Sequence, residues 1–166
     1  MKNPAYKIKI GSETFDSFTS QDIISLSVDS DLNVPSSSFK ILVKPGTKSS
    51  AIKNGDAVLI EIGFEGSLKK VITGTVGTIE SKISGIHIGG LSIASILTST
   101  RINQVYEQQT VGAIVKDIIG SAGISDKEVE DGLSFPVYVV DDTKNVYTHM
   151  KERALKCGFD LFLTVD

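Results

Sequence analysis

Hydrophobic and polar positions alternate with a period of two along the first ninety residues, the pattern of strands with one buried face. Tyr6, Ile8 and Ile10 share one side and Lys7 and Lys9 the other. The alternation recurs at Ile24, Leu26 and Val28, at Phe39, Ile41 and Val43, and at Val58, Ile60, Ile62 and Phe64. Turn-forming residues separate these runs: Pro45-Gly46, Asn54-Gly55-Asp56, and Glu65-Gly66-Ser67, which suits a hairpin into a strand starting near Leu68. Gly74 and Gly77 interrupt the next strand, Val71 to Ile79, and glycine inside a strand marks a bulge or a sharp coil. The segment is expected to curl into a small barrel or half-barrel and so to remove its open edges.

After about residue 100 the period becomes 3.6. Thr110 is placed as an N-cap, Val111, Ile114, Val115, Ile118, Ile119 and Ala122 fall on one helix face, and Gly123 ends it. A second helix is expected to start near Asp142 or Thr143, to carry Val146, Met150, Ala154 and Cys157 on one stripe, and to stop at Gly158. A short strand, Val137 to Val140, is expected between the helices, and the apolar run Phe159 to Val165 reads as a buried strand after them. The fold class is therefore α+β: a small antiparallel β-barrel over residues 1–100, then a smaller α/β segment with two helices over 101–166.

Composition removes several function classes. The chain has 166 residues, enough to bury a core, and a net charge of -3 from 17 basic and 20 acidic side chains. That balance lacks the basic footprint of a nucleic-acid binder. The excess acid lies in the second part, where residues 101–166 hold seven basic and eleven acidic side chains, many of them in Asp126 to Asp131, which reads as a solvated loop. One cysteine, Cys157, excludes an internal disulfide and reads as a helix-packing residue. MKNPAYKIKI lacks the apolar core of a signal peptide, and the uncharged stretch Ile83 to Thr100 carries too many Gly, Ser and Thr residues for a membrane helix.

The search for reactive groups returns little. His87 and His149 have no spacing partners for a metal, and each reads as a half-exposed histidine on a regular element. Gly90-Leu91-Ser92-Ile93-Ala94 approximates a nucleophile elbow, which would need His149 and Asp141 or Asp142 to converge on Ser92. Asp141-Asp142 is better explained by helix capping. There is no phosphate-binding glycine motif, no cofactor signature and no cluster of rings for stacking bases or sugars. A catalytic, cofactor or metal site is not expected.

Particular stretches resemble a known family. Asn33 to Phe39 (NVPSSSF), the Gly55-Asp56 turn leading into Val58 to Gly63 (VLIEIG), and Gly74-Thr75-Val76 resemble the first barrel of phage tail hub proteins, the group that includes the late control protein D family and VgrG-type spike proteins. Tyr106, Gln109 to Val115 opening a helix, Gly123-Ile124 closing it, and Asn145-Val146-Tyr147 leading to Gly158 to Phe162 (GFDLF) extend the similarity over roughly residues 20 to 166. The resemblance implies a structural, non-catalytic component of a phage tail or phage-like contractile injection machine. Such a baseplate hub joins a tail tube protein to a spike protein, forms a homotrimer when full length, and resides in the virion tail after assembly in the bacterial cytoplasm of a phage or prophage host. Residues 1–100 would be the tail-tube-like barrel and 101–166 an incomplete α/β domain holding much of the family's α/β insertion, with no room for the second barrel of such proteins.

A ring-forming barrel contacts its neighbours through strand edges, loops and modest apolar patches. The turn-rich insertion from Lys44 to Asn54, with Lys44, Pro45, Lys48, Lys53 and Asn54, is the candidate interface, against the alternative of an ordinary solvated loop. Two other readings stay open: a carbohydrate or cell-wall binding module of a tail, and a serine hydrolase using Ser92.

Overall fold

Seven antiparallel strands and a short helix make up the first unit of the chain, which runs to Ile93; a second unit spans Ala94 to Leu163. The structure is a computed structural model describing residues 3–19, 21–31, 35–124 and 128–163. Asn33 and Val34, Asp126, and the end of the expected last strand at Thr164 and Val165 lie outside the described residues.

In the first unit the strands are β1 (Pro4–Ile10), β2 (Glu13–Asp16), β3 (Ile23–Asp29), β4 (Ser38–Val43), β5 (Ala57–Phe64), β6 (Ser67–Lys82) and β7 (Gly85–Ser92), and the helix α1 (Thr47–Ala51) lies between β4 and β5. The strand order is β2-β1-β5-β6-β7-β4-β3. Period-two alternation turns one face of the sheet inward, although Ile24, Ile62 and Phe64, expected on that face, are exposed. Phe15, Ile8, Ile60 and Ile72 stand opposite one another across four strands, and Ile79, Ile88, Ile41 and Leu26 do so across the other end. These rows form one apolar cluster, with Ile52 added from the end of α1. On the outer face Asp16, Lys7, Glu61 and Lys70 occupy successive opposite positions on β2, β1, β5 and β6, so charges alternate in sign across the ladder.

The sheet curls at two bulges in the sixteen-residue β6. Gly77 is the extra residue between Val76 and Thr78, at a glycine the sequence had marked; Val71 is the extra residue opposite Ile60 and Glu61, with no such mark. Gly90 lets the curled layers interlock. A Cβ there would fall inside the Phe39 ring and the Thr75 carbonyl, so Phe39 packs directly on bare backbone. The curl gives a half-barrel. The expectation that open edges disappear is corrected: among the described residues β2 and β3 end the sheet without pairing to each other. A four-residue β2 ending in an Asp16 turn offers too short a ladder to close it.

In the second unit a 3₁₀ turn (Ile93–Ser95) and the short α2 (Ile96–Ser99) lead to β8 (Gln104–Thr110), α3 (Val111–Ser121), β9 (Ser134–Val140) and α4 (Val146–Cys157). Thr110 caps α3 as expected, its hydroxyl accepting the Ala113 amide at 3.2 Å. α4 begins later than expected. Asn145, not Asp142 or Thr143, is the N-cap, because its side chain accepts the Thr148 amide at 2.8 Å, while Asp141 is turned to Thr143. Gly158 closes α4 at φ 72°, a left-handed position that glycine occupies without strain. β8 and β9 pair as an antiparallel ribbon. The core gathers Leu97, Tyr106, Val140, Val146 and Met150 with the apolar face of α3. Residues 159 to 163 form no strand, contrary to expectation; Leu161 and Leu163 pack on this core as an irregular segment.

Candidate functional site

The segment from Lys44 to Asn54 is fastened to the sheet from beneath. Ser49 is only 4% exposed, and its hydroxyl both accepts the Gly46 amide at 2.8 Å and donates to the Gly46 carbonyl at 3.0 Å, closing the first turn of α1. Ile52 is buried in the sheet core. Lys48 reaches across: its Nζ donates to the Thr14 carbonyl on β2 at 2.9 Å and lies 5.5 Å from the centre of the Phe15 ring. Lys44 is exposed at its side chain while its amide donates to the Asp22 carbonyl at 2.8 Å.

These contacts bring Lys44 and Lys48 to one small hollow of about 170 Å³, together with Phe15, Asp22 and Thr47. Pro45 is exposed beside it. Lys53 and Asn54 do not line the hollow; they sit in the turn before β5, where the Lys53 amide donates to the Asp56 carboxylate at 2.8 Å. The segment is thus a short helix plugged into the sheet. The apolar Ile52 was the one signal in the sequence that could have revealed the plug, since it does not suit a loop wholly in water.

The elbow reading of Ser92 meets a different geometry. Ser92 ends β7, nearly buried, and its Oγ accepts the Ser37 amide at 3.2 Å and lies 3.3 Å from Ser36 Oγ. It is a strand-end hydrogen-bonding group of the first unit. His149 is held within the second unit. It is 4% exposed, a correction to the half-exposed reading, because α4 turns it into the core where two polar partners await it. Its Nδ1 lies 2.8 Å from the Tyr138 hydroxyl and its Nε2 lies 3.0 Å from the Asp141 carbonyl oxygen. Both ring nitrogens are therefore spent on Tyr138 and Asp141. His87 is half-buried, with Nε2 2.8 Å from Ser84 Oγ.

Other charged groups serve local structure as well. Thr143 donates to the Asp141 carboxylate from both its hydroxyl and its amide, and these bonds hold that carboxyl below its ordinary pKa range. The Tyr106 hydroxyl donates to Asp117 at 2.8 Å; burial first, and that bond second, push its pKa well above the usual phenolic range. Arg153 lies over the Tyr138 ring at 4.4 Å. Among the described residues no three histidine, cysteine, aspartate or glutamate side chains gather as metal ligands would, and no helix is long and apolar enough to cross a membrane.

No protein-family model matches the chain, and no curated protein sequence matches it. Solved structures do. The 43 kDa tail protein of prophage MuSo2 from Shewanella oneidensis matches with a TM-score of 0.74 at 19% identity, over 94% of this chain and 49% of that one. The tail protein from Neisseria meningitidis MC58 matches with a TM-score of 0.69 at 15% identity, over 97% of this chain and 48% of that one. The chain spans about half the length of these two tail proteins. What it shares with both, at such low identity, is the fold: a half-barrel followed by a ribbon with helices.

Proposed function

We propose that this chain is a structural component of a phage tail or phage-like contractile injection machine, the part of a baseplate hub that connects tail tube to spike. The fold carries the reading: nearly the whole chain superimposes on a prophage tail protein. The local chemistry supports it, because the polar groups that sequence reasoning singled out as reactive are engaged in turns, caps and core hydrogen bonds. Assembly demands shape and edges and needs no perturbed titrating group.

Within that role the exposed side chains of Lys44, Pro45, Lys53 and Asn54 belong to the surface offered to a tube or spike subunit, and Lys48 holds the segment in place. The full-length protein is proposed to form a homotrimer, related to the late control protein D and VgrG-like group and carried in the virion tail. Turnover is not part of the role. A sugar-binding platform would gather exposed rings, whereas the exposed Phe18 and Phe64 of the first unit make no ring contact with each other among the described residues.

The test is binding of this protein to a purified tail tube protein, read together with assembly mass. Capture of tube subunits that is weakened several-fold by replacing both Lys44 and Lys53 with Glu supports the role. A chain that ignores tube and spike proteins overturns it.

A further inference from the structure

Arg153, on α4, carries a charge that the second unit does not use. Its side chain is only 13% exposed, yet among the described residues it makes no hydrogen bond, and its Nε is sealed from water without an acceptor. Glu152 stands 3.8 Å from Nη2, beyond hydrogen-bond reach, and the other oxygen of that carboxylate is taken by Lys144 at 2.6 Å. Arg153, Glu152, Lys144 and Asp141 all act on the neighbouring Tyr138. Of these four, Lys144 and Glu152 bond to each other and Asp141 accepts from Thr143, so Arg153 is the one whose donors are unspent. A guanidinium so far out of water costs free energy unless something receives its N–H groups. Two rings hold it meanwhile: its Cζ lies 4.4 Å from the centre of the Tyr138 ring and 5.8 Å from that of Phe135. Spacing puts it there, because His149 and Arg153 are four residues apart on one row of α4 and both meet Tyr138, the histidine at the hydroxyl and the arginine over the ring. With its hydroxyl tied to His149, the ring that carries the guanidinium is itself fixed.

We infer that Arg153 is a receptor for an acidic side chain of a bound protein, an aspartate or glutamate whose two carboxylate oxygens accept from Nη1 and Nη2. Nε is the donor sealed from water, so these two are the donors that reach the surface. A planar fork held against rings is oriented before its partner arrives, so little side-chain entropy is lost on binding, and arginine set among aromatic rings is the composition of interface anchors. One fork does not hold a free carboxylate against the cost of association, whereas a protein delivers its carboxylate together with further contacts. The site lies wholly within the second unit. It goes beyond the tail reading and does not rest on it.

The experiment uses the full, isotope-labelled chain and reads the Nε–H resonance of Arg153 by NMR, assigned by its loss in Arg153→Lys. An acetylated hexaglutamate peptide, added at constant ionic strength, is expected to shift that resonance saturably. The hexaglutamine peptide is expected to leave it in place, and acetate at equal carboxylate concentration to shift it several-fold less. Arg153→Lys keeps a cation over the rings but has no fork; read through the backbone amides of α4 and β9, it is expected to bind the glutamate peptide about tenfold more weakly. A resonance that the glutamate peptide does not move, an equal response to acetate or to the glutamine peptide, or an Arg153→Lys variant with the parent's affinity overturns the inference. The chain with Lys44 and Lys53 both replaced by Glu is expected to keep the Arg153 response while losing tube capture, so failure of this inference is distinguishable from failure of the tail reading.

Discussion

The two units of the chain stabilise their interiors in opposite ways. The sheet of the first unit is filled by aliphatic and aromatic residues, with buried Ser49 and Ser92 at a helix turn and a strand end. The second unit places polar pairs within its packing, His149 with Tyr138 and Tyr106 with Asp117. A curled sheet satisfies its backbone through its own ladders, so its core can be dry and its specificity lies in shape. A ribbon of two strands cannot stand alone, so it depends on the helices it packs against and on hydrogen bonds that fix how it lies on them. Shape errors should therefore be most damaging in the first unit, and lost hydrogen bonds in the second.

The largest expected effect tests the dry core. Phe39→Ala opens a cavity beneath Gly90 and should cost about 3–5 kcal/mol in urea unfolding. Gly90→Ala, the reverse error, should cost about 1–3 kcal/mol by overpacking the same contact. In both variants amide exchange should accelerate in β4 and β7 before α3; equal acceleration everywhere would erase the distinction between the units.

Next comes the polar pair. Tyr106→Phe keeps the ring buried but removes the donor to Asp117, and should lower stability by about 1.5 kcal/mol. Denaturant melts give the number, and a neutral result would mean that this hydrogen bond adds nothing to the second unit. Asn145→Ala and Thr110→Ala each remove a helix cap whose geometry is intact, with an expected loss of about 1 kcal/mol apiece. Amide exchange in the first turns of α4 and α3 would localise each loss.

The smallest effect is one the units should share. Asp16 in the first unit and Asp141 in the second are exposed carboxylates held below their ordinary pKa, chiefly by hydrogen bonds from Thr19 and Thr143. Because the folded value is the lower one, their stabilisation is present at neutral pH and disappears as pH falls from the ordinary carboxylate range through that lowered value. Asp16→Asn and Asp141→Asn should each make the melting temperature fall less steeply between neutral and acid pH. A steeper fall in either variant would reverse the sign of the argument.

Much of this was legible from residue order, and the failures share a cause. Period-two alternation located β1, β3, β4 and β5, and the helical stripe with Thr110 located α3; on β3 a bulge breaks the expected row, so that Ile24 is exposed while Leu26 and Val28 pack on the core. β8 was missed. Gln104 to Thr110 carries only Tyr106 as a buried inward side chain, so no alternation announces it, and pairing with β9 makes it a strand. The polar insertion that looked like a loop folds its Ser49 and Ile52 beneath the sheet. His149 looked half-exposed because neighbouring residues cannot reveal Tyr138, eleven positions away, as its partner.

Local order thus determined the fold class, the main strands, the α3 cap and stripe and the glycine ends of the helices, since these depend on neighbours within a turn or a strand. The tertiary structure alone decided that the barrel stays half open, that Lys48 covers the β2 edge at Thr14, and which polar groups are spent on each other. Those outcomes depend on residues brought together from distant parts of the chain, as Thr14 is to Lys48, and no local pattern encodes such meetings.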